Sequence, residues 1–122
     1  MDKPGLLPRN VLLVEDSAIV AMTVSMMLED LGISNIVMAR SVGEAMSAID
    51  NCSFDLALLD LQLGDENGLV VADHCATKNI PIIFSTGYGN VLLPVTFSSE
   101  QLLMKPYTAA DLERAISRLQ AS

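Results

Sequence analysis

The sequence has few basic residues, few cysteines and no long apolar run, and each shortage excludes a class of protein. Seven Lys and Arg residues against fifteen Asp and Glu residues give the 122-residue chain a formal net charge of −8. Nucleic acids and anionic membranes select basic surfaces, so we expect neither as a binding partner. No apolar run exceeds five residues, whereas a membrane-spanning helix needs about 20. The sequence therefore predicts no transmembrane segment.

The cysteines and the N-terminus are typical of a cytoplasmic protein. Cys52 and Cys75 form neither a disulfide framework nor a paired metal motif, so we predict two reduced, packed thiols. Residues 1–9 are polar and interrupted by proline, which predicts a flexible N-terminus rather than a signal peptide. A length of 122 residues predicts one domain, over residues 10–122, and the 51% of apolar residues excludes a disordered chain.

Short apolar runs alternate with amphipathic stretches along this domain. The runs predict strands over residues 11–14, 35–39, 56–59, 81–85 and 102–104. The amphipathic stretches predict helices over 18–31, 41–50 and 69–77, and a last helix that begins after a Thr108 cap. Asp16 and Ser17 are the candidates for the cap of the first helix. Residues 62–68 predict a loop. Three methionines at helical spacing, Met22, Met26 and Met27, are expected to fill the core.

Strands that alternate with helices predict an α/β domain whose parallel sheet is covered by helices on both faces. The fourth helix has to come from residues 87–101, where Pro94 would interrupt it. We therefore expect the fourth helix to be short or irregular. In such sheets, ligands bind beyond the carboxyl ends of the strands.

Polar side chains follow four of the five predicted strands at that edge. Glu15 and Asp16 follow the first strand, Asp60 the third, Thr86 the fourth and Lys105 the fifth. Three carboxylates at one edge repel one another unless a cation joins them, and oxygen ligands suit Mg²⁺ or Mn²⁺. A lysine and a threonine beside that cation indicate a site for a phosphoryl group.

Four segments, taken in order, resemble the motifs of one known family. VLLVEDS, LALLDLQLGDENG, PIIFSTG and LLMKPY look like the strand ends of the receiver domain of two-component response regulators. The resemblance extends over residues 9–120. It implies a flavodoxin-like (βα)5 fold, with a five-stranded parallel sheet of order 2-1-3-4-5.

The resemblance also implies roles for single residues. Asp60 would be the phosphoacceptor, and Mg²⁺ would be held by Glu15, Asp16, Asp60 and the backbone carbonyl of Gln62. The phosphoryl-binding and switch residues would be Thr86, Gly87 and Lys105, the last in a cis peptide with Pro106. Gln62 and Tyr88 would tune dephosphorylation.

Three positions depart from the family pattern. Glu15 replaces the commoner Asp, and Gly64 stands where the family usually has Pro. Leu102 stands where the family often has the aromatic residue that moves together with the threonine. Tyr88 or Tyr107 could take over that aromatic role, which is a hypothesis from sequence position alone.

The resemblance implies a stand-alone, single-domain response regulator rather than an enzyme. It would accept a phosphoryl group from a histidine kinase or a histidine phosphotransfer protein and signal to an unknown downstream protein, as a monomer or a phosphorylation-dependent dimer. A phosphate sink or shuttle without output, and a receiver module of a larger hybrid kinase or regulator, are the alternatives within the family.

Two other classes fit the residues less well. A phosphatase of the haloacid dehalogenase type needs a second Asp two places after the first, where this sequence has Gln62. A nucleotide-binding relative needs a phosphate loop after the first strand, where Glu15 and Asp16 would repel phosphate.

Overall fold

A computed structural model describes residues 7–87, 93, 97 and 102–121, and its elements follow the predicted alternation. The strands are β1 (Asn10–Val14), β2 (Asn35–Ala39), β3 (Leu56–Asp60), β4 (Gln62–Leu63), β5 (Glu66–Asn67), β6 (Ile82–Thr86) and β7 (Leu102–Met104). The helices are α1 (Ala18–Asp30), α2 (Val42–Asn51), α3 (Leu69–Thr77) and α4 (Ala109–Ala121).

Five of these strands form one parallel sheet in the order β2-β1-β3-β6-β7. Apart from the short strands β4 and β5, this is the strand order that the resemblance implied, and the flavodoxin-like fold is confirmed. Strand β3 lies in the middle, with Val14 of β1 opposite Leu59 and Ser85 of β6 opposite Asp60. The last residue of β3 therefore lies at the centre of the carboxyl edge.

Apart from Asn10 and the polar residues at the carboxyl ends of β3 and β6, the central strands are apolar, because both faces of the sheet are covered. Leu12 and Val14 of β1 pack into a cluster under α2 and α3, whereas Val11 and Leu13 pack into a second cluster under α1 and α4. Side chains alternate along a strand, so a strand covered on both sides needs apolar residues at successive positions.

The helix starts match the capping residues in the sequence. The Ser17 hydroxyl accepts a hydrogen bond from the Val20 N–H at 3.3 Å at the start of α1. Before α4, the Thr108 N–H donates to the Asp111 carboxylate at 2.9 Å, and the Asp111 N–H donates to the Thr108 hydroxyl at 3.1 Å. These bonds satisfy N–H groups that have no partner within the helix.

The predicted loop over residues 62–68 is wrong in part, because it contains a small antiparallel hairpin. Gln62 of β4 pairs with Asn67 of β5, and Leu63 pairs with Glu66. Gly64 forms the turn with φ of +62°, a conformation that glycine adopts without steric cost. Strands of two residues are too short to show periodicity, so the sequence pattern did not reveal them.

The predicted packing of the methionines is wrong for two of the three. Met22 and Met26 are 61% and 60% exposed, and only Met27 packs partly against the core. Helix α1 buries Ala21, Val24 and Leu28 instead. Because α1 is apolar on nearly all sides, residue spacing could not indicate which side faces the sheet.

The two cysteines also differ from each other. Cys52 is exposed, contrary to the predicted packed thiol, because it directly follows the end of α2. Cys75 is buried in α3, where burial raises the pKa of its thiol to about 11.

Some predictions lie outside the described residues. These are the flexible N-terminus over residues 1–6 and the irregular fourth helix around Pro94, since only residues 93 and 97 of the segment 88–101 are described. Within the described ranges, no helix has the length and apolar character that crossing a membrane requires.

Candidate functional site

Four polar side chains are buried at the carboxyl edge of the sheet. Glu15 follows β1, Asp60 ends β3, and Ser85 and Thr86 end β6, and each is at most 9% exposed. They are all the buried polar residues in the described part of the chain. Within the described ranges, polar side chains are thus buried only at the edge where the sequence places the functional groups.

Backbone hydrogen bonds hold the residues just beyond the strands. The Leu61 N–H donates to the Ser85 carbonyl at 3.0 Å, and the Lys105 N–H donates to the Thr86 carbonyl at 2.8 Å. The peptide bond between Lys105 and Pro106 is cis, as the resemblance implied. These backbone bonds therefore hold β3, β6 and β7 together at the edge where the candidate side chains lie.

Both carboxylate oxygens of Asp60 accept hydrogen bonds. Its Oδ1 accepts from the Gln62 N–H at 3.0 Å, and its Oδ2 accepts from Lys105 Nζ at 2.8 Å. The side chain of Asp60 is only 3% exposed. A carboxylate so deeply buried is destabilising without hydrogen-bond donors and a cation beside it, and both are present.

Lys105 bridges two buried carboxylates. Its Nζ donates to Glu15 Oε1 at 2.9 Å as well as to Asp60. Burial raises the pKa of Glu15 although the hydrogen bond from Lys105 opposes that effect. Burial also lowers the pKa of Lys105, but its hydrogen bonds to Asp60 and Glu15 outweigh burial, so the net change is upward. The ammonium group of Lys105 therefore stays protonated at neutral pH.

Three carboxylates form a cluster that could hold a metal ion. Glu15, Asp16 and Asp60 each offer an oxygen atom, and these atoms lie within 4.8 Å of one another. Asp16 is the most exposed of the three and opens the cluster towards solvent. Carboxylate oxygens are the ligands that Mg²⁺ prefers, so this donor set fits the predicted ion. The role of the Gln62 carbonyl stays a prediction.

The side chain of Gln62 contacts Thr86 across the site. The Thr86 hydroxyl donates to Gln62 Oε1 at 3.1 Å. From the sequence, Gln62 is expected to offer its backbone carbonyl to Mg²⁺ and to tune dephosphorylation, whereas its contact with Thr86 is not predicted. The two residues are 24 positions apart, and no sequence pattern joins them.

Two glycines at the site differ in the space around them. A Cβ atom on Gly68 would lie 2.5 Å from the carbonyl oxygen of Asp60, so only glycine fits behind the predicted phosphoacceptor. Among the described residues, no atom lies within 4 Å of a Cβ placed on Gly87. As far as the described residues reach, Gly87 therefore leaves room on its side of the site, as a residue beside an incoming phosphoryl donor requires.

Leu102 lacks the aromatic ring that the family often has, and two tyrosines are the predicted substitutes. Tyr88 lies outside the described residues. Tyr107 packs against the α1 and α4 side of the core, and burial, together with the charges of Glu15 and Asp60, raises the pKa of its phenol. That a tyrosine takes over the aromatic role remains a prediction.

Comparison with known proteins gives the same family as the site. Residues 11–117 match the model of the response regulator receiver domain. The swarming motility regulation protein RssB of Serratia marcescens is 33% identical over 117 residues, which cover 92% of this chain and 52% of that protein. The phyllosphere-induced regulator PhyR of Methylorubrum extorquens is 33% identical over 112 residues, which cover 88% of this chain and 42% of that protein.

Solved structures agree with these matches. SdrG from Sphingomonas melonis Fr1 superposes with a TM-score of 0.80 at 29% identity, over 92% of this chain and 96% of that one. PhyR from Bartonella quintana, described as an anti-anti-sigma factor, superposes with a TM-score of 0.78 at 29% identity, over 95% of this chain and 48% of that one. The chain therefore belongs to the receiver domain family of two-component response regulators. It spans about half the length of the curated relatives that it matches.

Proposed function

We propose that the domain is a phosphoacceptor switch of a cytoplasmic two-component pathway. Asp60 takes a phosphoryl group from a phosphohistidine of a histidine kinase or a histidine phosphotransfer protein, and the modified domain presents a changed surface to a downstream protein. One observation carries this proposal: the Asp60 carboxylate is buried at the centre of the carboxyl edge, 2.8 Å from Lys105 Nζ.

The arrangement suits attack by a carboxylate on phosphorus. An Asp60 oxygen forms the new bond to phosphorus while the bond from phosphorus to the donor histidine breaks, and the imidazole nitrogen keeps the electron pair. Transfer of this kind depends mainly on positioning and charge stabilisation. Lys105 neutralises charge on the phosphoryl oxygens, and the Thr86 hydroxyl donates a hydrogen bond to one of them.

The acidic cluster supplies the remaining charge balance. Glu15, Asp16 and Asp60 would hold Mg²⁺, together with the backbone carbonyl of Gln62. A bound divalent ion would offset the repulsion between these carboxylates and the anionic phosphoryl group. The partial exposure of Asp16 leaves this side of the site open to the donor.

The test is the intact mass of the protein after incubation with acetyl phosphate, with and without Mg²⁺. We expect a phosphoryl adduct on the wild type that requires Mg²⁺, and none on Asp60→Asn. Asp55→Asn is the matched control, because Asp55 directly precedes β3 at the opposite edge of the sheet. An adduct that persists on Asp60→Asn, or a wild type that forms none and does not bind beryllofluoride, would contradict the proposed function.

A further inference from the structure

Gln62 contacts three parts of the site at once. Its backbone N–H donates to Asp60 Oδ1 at 3.0 Å, and its side-chain Oε1 accepts from the Thr86 hydroxyl at 3.1 Å. It is also the first residue of the β4–β5 hairpin, where it pairs with Asn67. A modification of Asp60, or a rotation of the Thr86 side chain, therefore alters a hydrogen bond of Gln62.

The main chain around Thr86 is held on both sides, whereas its hydroxyl can change partner. The Ser85 carbonyl accepts from the Leu61 N–H, and the Thr86 carbonyl accepts from the Lys105 N–H. The Thr86 side chain is fully buried, which restricts the directions in which its hydroxyl can donate. A hydroxyl has a single proton to donate. Donation to Gln62 and donation to a phosphoryl oxygen therefore exclude each other.

We propose that Gln62 is a positioning residue that competes with the phosphoryl group for the hydroxyl proton of Thr86. This inference rests on the proposed function, because it needs a phosphoryl group on Asp60. In the unmodified domain, Gln62 Oε1 holds the proton. After phosphorylation, a charged phosphoryl oxygen is the stronger acceptor, so Thr86 turns to it and the Gln62 side chain is released.

The hairpin connects this release to the start of α2. Glu66, in the partner strand of the hairpin, accepts a hydrogen bond from the Val42 N–H at 3.0 Å through its Oε1. Val42 is the first residue of α2. The route from the site thus runs from Gln62 to its hairpin partner Asn67, then to the adjacent Glu66 and the N-terminus of α2. It does not need the aromatic ring missing at Leu102.

The test measures beryllofluoride affinity, with Mg²⁺ present, in a double-mutant cycle. Gln62→Met keeps the length of the side chain but removes the acceptor, and Thr86→Val keeps its shape but removes the hydroxyl. We expect Gln62→Met to tighten beryllofluoride binding about fivefold, since one competing hydrogen bond is lost. In the Thr86→Val background, the same substitution should change the affinity less than about twofold, because the competition is already absent.

Two controls separate this coupling from a general disturbance. Asp65→Asn lies at the turn of the same hairpin and should leave the affinity of both backgrounds unchanged. The second control is the Mg²⁺ affinity of the Gln62→Met variant. Because the backbone carbonyl of residue 62 is a predicted Mg²⁺ ligand, an unchanged affinity indicates an unchanged backbone position. A loss of Mg²⁺ affinity together with an equal change in both Thr86 backgrounds would mean that the backbone has moved, and would overturn the inference.

A second measurement uses the unmodified protein alone. The NMR resonances of the Gln62 side-chain amide should shift in Thr86→Val and stay in place in Thr86→Ser, which keeps the hydroxyl. No shift in the valine variant would overturn the resting contact. A wild type that binds beryllofluoride without coupling between positions 62 and 86 would overturn this inference alone. A wild type without Mg²⁺-dependent binding would overturn the proposed function and this inference with it.

Discussion

The two edges of the central sheet use carboxylates in opposite ways. At the amino edge, Asp55 precedes β3, and its Oδ2 accepts hydrogen bonds from the backbone N–H groups of Arg9 and Asn10, both at 3.0 Å. Asp55 is exposed to solvent. At the carboxyl edge, Asp60 ends the same strand but is buried, and its charge is balanced by Lys105.

This difference shows which edge depends on its charges. An exposed carboxylate accepts hydrogen bonds from the backbone at little electrostatic cost. The charge of Asp55 at the amino edge therefore serves stability and not the functional site. Buried carboxylates are tolerated only beside a cation and hydrogen-bond donors. The carboxyl edge therefore carries a desolvation penalty that apolar side chains in the same place would not have. Four substitutions test this comparison.

Lys105→Met should have the largest effect on stability. It leaves Glu15 and Asp60 buried without their cation, and we expect the free energy of unfolding at pH 7 to fall by about 3 kcal/mol. Urea unfolding measures the loss, and Mg²⁺ should restore part of it. The control is Lys78→Met at the exposed end of α3, where a loss of similar size would show that the carboxyl edge is not special.

Gly68→Ala should disturb the same edge through sterics. Its Cβ would lie 2.5 Å from the Asp60 carbonyl oxygen, and the shift required should cost about 2 kcal/mol. Gly87→Ala is the matched control, because a Cβ at Gly87 meets no atom of the described residues within 4 Å. It should change the unfolding free energy by less than about 0.5 kcal/mol. If chemical denaturation gave the same value for both alanines, the tight contact at Gly68 would be refuted.

Asp55→Ala should weaken the amino edge without affecting the site. The loss of two exposed hydrogen bonds to backbone N–H groups should lower the free energy of unfolding by about 1 kcal/mol. Beryllofluoride affinity should stay at the wild-type value, because Asp55 lies at the far end of β3. Reduced affinity in this variant would show that the two edges are coupled.

Glu15→Gln should have the smallest effect, visible as a dependence on pH. Burial raises the pKa of Glu15 in the folded state above its usual 4.5. At pH values between the usual pKa and the raised pKa, the folded state therefore binds more protons than the unfolded state. The contribution of Glu15 to stability therefore falls as the pH rises through this range. The melting temperature of the glutamine variant should gain about 2 °C on the wild type between pH 4.5 and pH 7.

A matched surface variant isolates this titration. Glu29→Gln removes an exposed carboxylate from α1 and corrects for the change in net charge. The melting temperature of Glu29→Gln should keep a constant difference from the wild type across this pH range. If the melting temperature of Glu15→Gln also kept a constant difference, Glu15 would not titrate as its burial requires.

Much of the fold could be predicted because its signals are local. Continuous apolar runs predicted the buried strands, and helix α3 and strand β7 have the predicted bounds, Leu69–Thr77 and Leu102–Met104. The caps at Ser17 and Thr108 lie where the sequence places them, since a cap needs only one side chain and its neighbouring backbone.

Other features could not be predicted because they depend on contacts between distant segments. The β4–β5 hairpin is too short for a periodic pattern, and the exposure of Met22 and Met26 is set by which side of α1 meets the sheet. The exposure of Cys52 likewise follows from where α2 ends against the rest of the domain.

The sequence by itself determined the alternation of strands and helices, the parallel sheet and the polar residues at its carboxyl edge, because these follow from periodicity and from the direction of parallel strands. Only the tertiary structure decided how those polar groups pair. Lys105 joins Glu15 to Asp60, and Thr86 donates to Gln62, because folding brings together side chains that lie 90, 45 and 24 positions apart in the chain. Hydrogen bonds depend on distance and angle in space, which residue order does not specify.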